Sequence, residues 1–256
     1  MTATAAPVVV SGRMACLEYA RNRLAIVLVL GFVPLWLVLE KITFLSYPVT
    51  FHPGPPSTAP VVVPGNAFSL IYAAANAITL IIGFLAFTAT YRGRGFDRRL
   101  VRAGFSAPSL FAGRLAAVAV AAAATAGYTL AVILALIDVR RPPLVGFALL
   151  LAALTYASLG TALAAVLPGE LEGMFVIIMI SLLDSGLQNP MLNPHADEAR
   201  FELLPTYGAV HAASSATFST AEVTGHLTVQ VTWYVLLTLL SLVCFRAGTR
   251  GARRHG

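Results

Sequence analysis

The chain is written in long apolar blocks separated by short polar breaks. The blocks run from about Leu24 to Leu45, Ala67 to Thr90, Phe111 to Ile137, Leu144 to Leu167, Leu171 to Leu187 and His226 to Phe245. A bilayer core of roughly 30 Å is crossed by about 20 apolar residues in an α-helix. Each block therefore predicts a membrane-spanning helix. Together they predict an all-α polytopic membrane protein, a single transmembrane domain over residues 1–256 with six spans.

The breaks have their own character. Arg13 to Arg23 reads as an amphipathic helix, with Met14, Leu17 and Tyr19 toward the bilayer and Arg13, Glu18 and Arg21 toward water. A signal peptide is the rival reading. The apolar region that follows is too long for one, and no small-x-small cleavage site follows it. Pro34 predicts a kink in the first span. Tyr47 to Gly65 holds six prolines and predicts an extended outer loop. Asp138 to Pro143 is a tight outer connection, and Pro168 to Gly173 a short acidic turn. The long segment 188–225 carries Leu203, Leu204, Tyr207, Val210 and His211 around Pro205, which predicts short helices dipping into the outer face.

Composition supports the bilayer. Of 256 residues, 58% are hydrophobic and 11% charged, with a mean hydropathy of +0.81. A soluble domain carries about 25% charged residues. No length is left over for a soluble catalytic domain.

Charge sets the orientation. Tyr91 to Arg114 holds six arginines and one acid, Asp97. Arg13, Arg21, Arg23, Arg246, Arg250, Arg253 and Arg254 fall on the same side, while Asp184, Asp197, Glu198, Glu202 and Glu222 fall on the other. By the positive-inside rule both termini are cytoplasmic, which requires an even number of spans. Arg140 and Arg141 are the exception on the outer side. The net charge of +6 sits at span ends, so it points to lipid headgroups and topology, not nucleic acid. Cys16 and Cys244 fall near cytoplasmic helix ends, where a structural disulfide is not expected.

Candidate chemistry is sparse. Ser69, Tyr72, Asn76, Thr79, Gly83 and Phe87 form one stripe of the second span, with Ile71, Ile78, Ile82 and Leu85 largely elsewhere as lipid-facing residues. The fifth span repeats this weakly through Met174, Ile178, Ser181, Ser185 and Gln188, and Asp184 one turn from its outer end reads as solvated. Polar side chains in a membrane face the bundle interior or a cavity, so two readings stand: helix-to-helix hydrogen bonding, or the lining of a substrate path. Small residues at four-residue spacing (Ala119, Ala123, Gly127; Ala152, Tyr156, Gly160, Ala164) predict close helix packing. His195, Asp197 and Glu198 lack regular metal-ligand spacing. Ser214 and Ser215 lie near His211 without a positioned base or acid. No GxxxxGK[ST] phosphate loop occurs in the chain.

The pattern resembles the membrane subunit of ABC-2 type transporters. The features are the amphipathic segment before span one, the basic stretch YRGRGFDRRLVRAGFSAPSLFAGRL leading into span three, the short turn between spans four and five, and the Leu-Pro before span six. The resemblance implies a half-transporter, with no nucleotide-binding domain of its own. Two six-span permease copies, identical or related, would enclose a cavity in the bacterial inner membrane. Two separate P-loop ATPase subunits, carrying ATP and Mg, would dock beneath; the chain itself carries no cofactor. A coupling helix between spans two and three would take the docking role, through Arg94, Asp97, Arg98, Arg99, Arg102 and Ser106, with Glu170 and Glu172 as a second contact. The second-span stripe with Ser181 and Ser185 would line the cavity. The expected activity is export of an amphipathic small molecule such as a drug, antibiotic or lipid-like metabolite. An ATP-independent secondary carrier or a membrane scaffold is the alternative. Ion-coupled carriers place buried acids mid-membrane, and the spans read as nearly free of them.

Overall fold

The computed structural model describes residues 12–14, 23–54, 59–196 and 198–250. Of the amphipathic segment, Arg13, Met14 and Arg23 are described; Cys16, Leu17, Glu18, Tyr19 and Arg21 lie outside the described residues, as do Asp197, Arg253 and Arg254. The chain is mostly helical. The first apolar block forms α1 (Arg23–Val27), a π-helical turn (Leu28–Phe32) and α2 (Val33–Thr43). Then come β1 (Pro48–Phe51), β2 (Val61–Pro64), α3 (Gly65–Arg102), α4 (Ala107–Leu136), α5 (Pro142–Val166), α6 (Glu170–Leu187), a 3₁₀ turn (Ala199–Leu203), α7 (Tyr207–Phe218) and α8 (Thr224–Arg250). Among the described residues, four helices are long and apolar enough to cross a membrane: α3, α4, α5 and α8.

Proline and glycine set the boundaries. Pro108 opens α4, and Pro142 with Pro143 opens α5, at first-turn positions where a missing N–H costs nothing. Pro34 cannot donate to the Leu30 carbonyl one turn back. The Tyr128 hydroxyl of α4 donates to that carbonyl instead, at 3.0 Å. Before the expected kink position the chain makes a π-helical turn, and the Leu30 carbonyl meets a neighbour's hydroxyl. At the other end of α3, Gly104 adopts φ +97°. Phe105 N–H bonds to Leu100 O at 3.0 Å and Gly104 N–H to Val101 O at 3.2 Å, a Schellman stop that turns the chain into α4.

The bundle is organised around α3 and α5, which pack most extensively on each other. α2, α4, α6 and α8 surround this pair, and α7 wedges against α5 and α8. Ile71, Ile78 and Ile82 are fully buried, which corrects their assignment to lipid. They sit on the central helix, where nearly every side of residues 65–90 meets protein. Open apolar faces lie on α2, α6 and α8, the last through Val235, Leu236, Leu239, Leu240 and Val243.

The proline-rich connection holds a short antiparallel ribbon, Pro48 opposite Pro64 and Phe51 opposite Val61. Its Phe51 ring packs tilted against Phe68 of α3 at 4.9 Å and meets Phe218 of α7 at 6.2 Å. In segment 188–225 the expected short helices are present: the 3₁₀ turn and the 12-residue α7, whose Val210, Ala212, Ala213 and Ala216 are buried.

Candidate functional site

Two polar assemblies stand out in this apolar bundle. The first is the seam between α3 and α6. Its α3 side is the predicted stripe, and Ser69, Tyr72, Asn76, Thr79, Gly83 and Phe87 are all buried. Asn76 Nδ2 donates to Ser181 Oγ at 2.9 Å and to Ser185 Oγ at 3.1 Å, and Thr79 Oγ1 lies 3.1 Å from Ser181 Oγ. Below them the fit is steric. A Cβ on Gly83 would lie 3.1 Å from Ile177 Cγ2, and one on Gly173 would lie 1.9 Å from the Phe87 ring. The stripe and its partners Ser181 and Ser185 therefore meet as a closed hydrogen-bonded seam within one chain. Ser69 lies at the far end, bonded to Glu40 and within 3.4 Å of Asn189 Nδ2.

Asp184 continues the seam. Its expected exposure is corrected: the residue is 1% exposed. Tyr156 Oη of α5 donates to Oδ2 at 2.8 Å, while Gln188 Nε2 and the Thr206 N–H donate to Oδ1 at 3.0 and 3.3 Å. Gln188 Nε2 also donates to Thr206 Oγ1 at 2.9 Å. The cause of this burial is the return of Thr206 over the end of α6. Gln230 of α8 completes the assembly: its Oε1 accepts from Ala209 N–H at 2.9 Å, and its Nε2 donates to Thr155 Oγ1 at 2.7 Å and Pro205 O at 3.1 Å. Sequence reasoning missed Thr206 and Gln230. The signal for Gln230 was present as a lone amide within an apolar block.

The second assembly is the arginine-rich end of α3. No separate coupling helix is formed here; residues 91–102 continue α3 itself. Asp97 is 2% exposed and pairs with Arg114 of α4 at 2.9 Å, and Arg114 also donates to Ala89 O at 3.0 Å. Gly93 makes room for that guanidinium, since a Cβ there would lie 2.1 Å from Arg114 Nη2. Arg94 Nη2 donates to Leu167 O at 2.8 Å, the Tyr91 hydroxyl to Pro168 O, and Arg92 pairs with Glu170 at 2.8 Å. The turn between α5 and α6 is thus latched to α3. Arg98 Nε donates to Gly248 O at 3.2 Å, and a small cleft separates Arg94 and Arg98 from Cys244 and Phe245 of α8. Arg99, Arg102 and Ser106 are exposed, and so is Glu172 at the start of α6. Among the described residues, Arg99 and Arg102 have no carboxylate partner.

The remaining candidates resolve simply. Arg141, the charge anomaly, donates to Ala221 O at 2.7 Å and Ser215 O at 3.4 Å, so it serves the carbonyl end of α7. Ser215 Oγ donates to Pro53 O at 2.6 Å, and neither it nor Ser214 bonds to His211. The His211 ring packs 4.0 Å from Tyr207 and 5.5 Å from His226. Burial, helped by the neighbouring His226, pushes its pKa down to about 3, so it is a neutral packing group. His195 pairs with Glu198 at 3.2 Å on the surface. No group of three or more metal-ligating side chains occurs among the described residues. No protein-family model matches the chain, and no curated protein matches it.

Proposed function

We propose that this chain is the permease subunit of an ATP-driven exporter. In this reading α1–α2 and α6 also cross the membrane, which gives six spans with the arginine-rich end in the cytoplasm of a bacterium. Two permease copies enclose the path of an amphipathic small molecule, and two P-loop ATPase subunits dock on the basic ends. The observation that carries the reading is the helical extension of α3. Residues 91–102 add about 18 Å of helix beyond the apolar stretch at 1.5 Å per residue. They are braced by the buried Asp97–Arg114 pair and the Arg92–Glu170 and Arg94–Leu167 contacts. Arg99 and Arg102 stand exposed on it. Orientation in a membrane needs charge alone. A buried brace behind exposed arginines is what a surface bearing mechanical load requires.

The test is co-purification with a P-loop ATPase encoded beside this chain, using Arg99→Glu/Arg102→Glu as the perturbed pair. Both positions are exposed, so expression and melting should hold while ATPase capture falls at least tenfold and ATP-dependent export stops. Intact export by the double variant overturns the docking assignment.

One observation favours a second reading, an ion-coupled carrier. The buried Asp184 is the kind of acid such carriers use. Export driven by a proton gradient without any ATPase would select it.

A further inference from the structure

Asp184 lies at 1% exposure, and the groups facing it are few. From α5 comes the Tyr156 hydroxyl, from its own helix the Gln188 amide, and from the turn before α7 the Thr206 N–H. From α3, Asn76 and Thr79 bond to Ser181, one turn earlier on α6. Tyr156 is the one titratable neighbour, and no cationic side chain pairs with Asp184 among the described residues. Gln188 is itself fully buried, and its Oε1 has no partner. The pocket is therefore rich in acceptor oxygens and holds no positive charge. We propose that Asp184 is a proton-binding site, with Tyr156 as the hydroxyl that serves both its charged and its neutral form.

The hydrogen-bond geometry accommodates both forms by moving hydrogens alone. Oδ1 is held by two N–H donors in either state. In the ionised state Tyr156 donates to Oδ2 at 2.8 Å. In the neutral state the Oδ2 proton is donated to Tyr156 Oη. The Tyr156 hydroxyl turns its own hydrogen away from the carboxyl. A hydroxyl can donate or accept, so Tyr156 serves both forms. A metal ion fits poorly. It needs several oxygens converging at about 2.3 Å or slightly more, and two N–H groups already point at Oδ1.

The experiment is an infrared pH titration of the full chain in lipid nanodiscs, without any ATPase, so its outcome is independent of the transport reading. The expected result is a carboxylic-acid C=O band that grows as pH falls, shifts in D₂O and disappears in Asp184→Asn. Tyr156→Phe removes one donor to the anion and should make the proton bind about tenfold more tightly, moving the midpoint up by about one pH unit. A merely structural tyrosine would leave the midpoint unmoved. Should Asp184→Asn misfold, ¹³C-aspartate labelling of the unmodified chain identifies the band by its isotope shift. The proposal is overturned by a wild-type protein with no titrating band, by a band that ignores aspartate labelling, or by loss of the band when sodium or potassium is added at constant pH.

Discussion

The main-chain approach between the two central helices makes a sharp prediction. At Gly160 of α5, a Cβ would lie 2.4 Å from Gly83 O and 3.2 Å from Phe87 N on α3. Ordinary contact begins near 3.4 Å, so Gly160→Ala must open the α3–α5 seam by about 1 Å (3.4 minus 2.4). A gap of that size forfeits about a quarter to a half of each dispersion contact along it. Overpacking of this kind costs about 1–3 kcal/mol. Alanine returns up to about 1 kcal/mol of helix propensity, leaving a net loss of about 1 kcal/mol at the middle of that range and about 2 kcal/mol at its upper end. The assay is SDS-induced unfolding in mixed micelles, followed by far-UV circular dichroism. Gly127→Ala is the control, because nothing lies within 4 Å of a Cβ there; it should match or slightly exceed wild type. Gly173→Ala separates backbone from side-chain clashes. Its obstacle is the Phe87 ring, so Phe87→Leu should rescue it. The obstacle at Gly160 is main chain, and no truncation should rescue that variant. If Gly160→Ala unfolds together with Gly127→Ala, the close α3–α5 approach is wrong.

The buried brace and the acid response extend this to charge. Arg114→Met leaves Asp97 buried without its guanidinium and should cost about 3–5 kcal/mol, whereas Asp97→Asn combined with Arg114→Met should recover most of it; a double-mutant cycle in the same unfolding assay reads the coupling. His211, in the non-spanning α7, resists protonation in the fold, with its pKa lowered from the ordinary 6.5 to about 3. The unfolded chain then binds a proton that the fold refuses, so stability is full above pH 6.5 and falls as pH drops from 6.5 toward 3. The loss is on the order of 2 kcal/mol at about pH 5, and His211→Phe should flatten that dependence.

Much of the helical layout was legible, because block length and proline placement act locally. The first-turn prolines of α4 and α5 and the stop at Gly104 need only neighbours in sequence. The face assignments were less legible. Lipid and protein interior are both apolar, so hydropathy cannot separate a rim helix from a central one. That is why Ile71, Ile78 and Ile82 read as lipid-facing while they pack inside. Asp184 was misjudged for a different reason. Its distance from the end of α6 was clear, but the fold-back that lays Thr206 over it depends on long-range packing. Prolines likewise hid the ribbon: Pro48 and Pro64 face each other at its end, leaving Val49, Thr50, Val62 and Val63 to pair between them.

The placement of the polar contacts constrains how the bundle can move. α3 is tied to α6 by Asn76 and Thr79, to the α5–α6 turn by Arg92 and Arg94, and to α4 by the Asp97–Arg114 pair. Breaking a buried hydrogen bond away from water costs roughly 1–3 kcal/mol per unpaired group, and more for a charge. Sliding one apolar face past another leaves no polar group unpaired. A load on Arg99 or Arg102 is therefore shared by α3, α4 and α6. α8 is held by Gln230 near one end, by the Ser158–Thr238 bond at 2.8 Å, and by Arg98 on the carbonyl of Gly248. Displacing α8 therefore breaks the buried Gln230 bonds to Thr155, Pro205 and Ala209, at the edge of the Asp184 network.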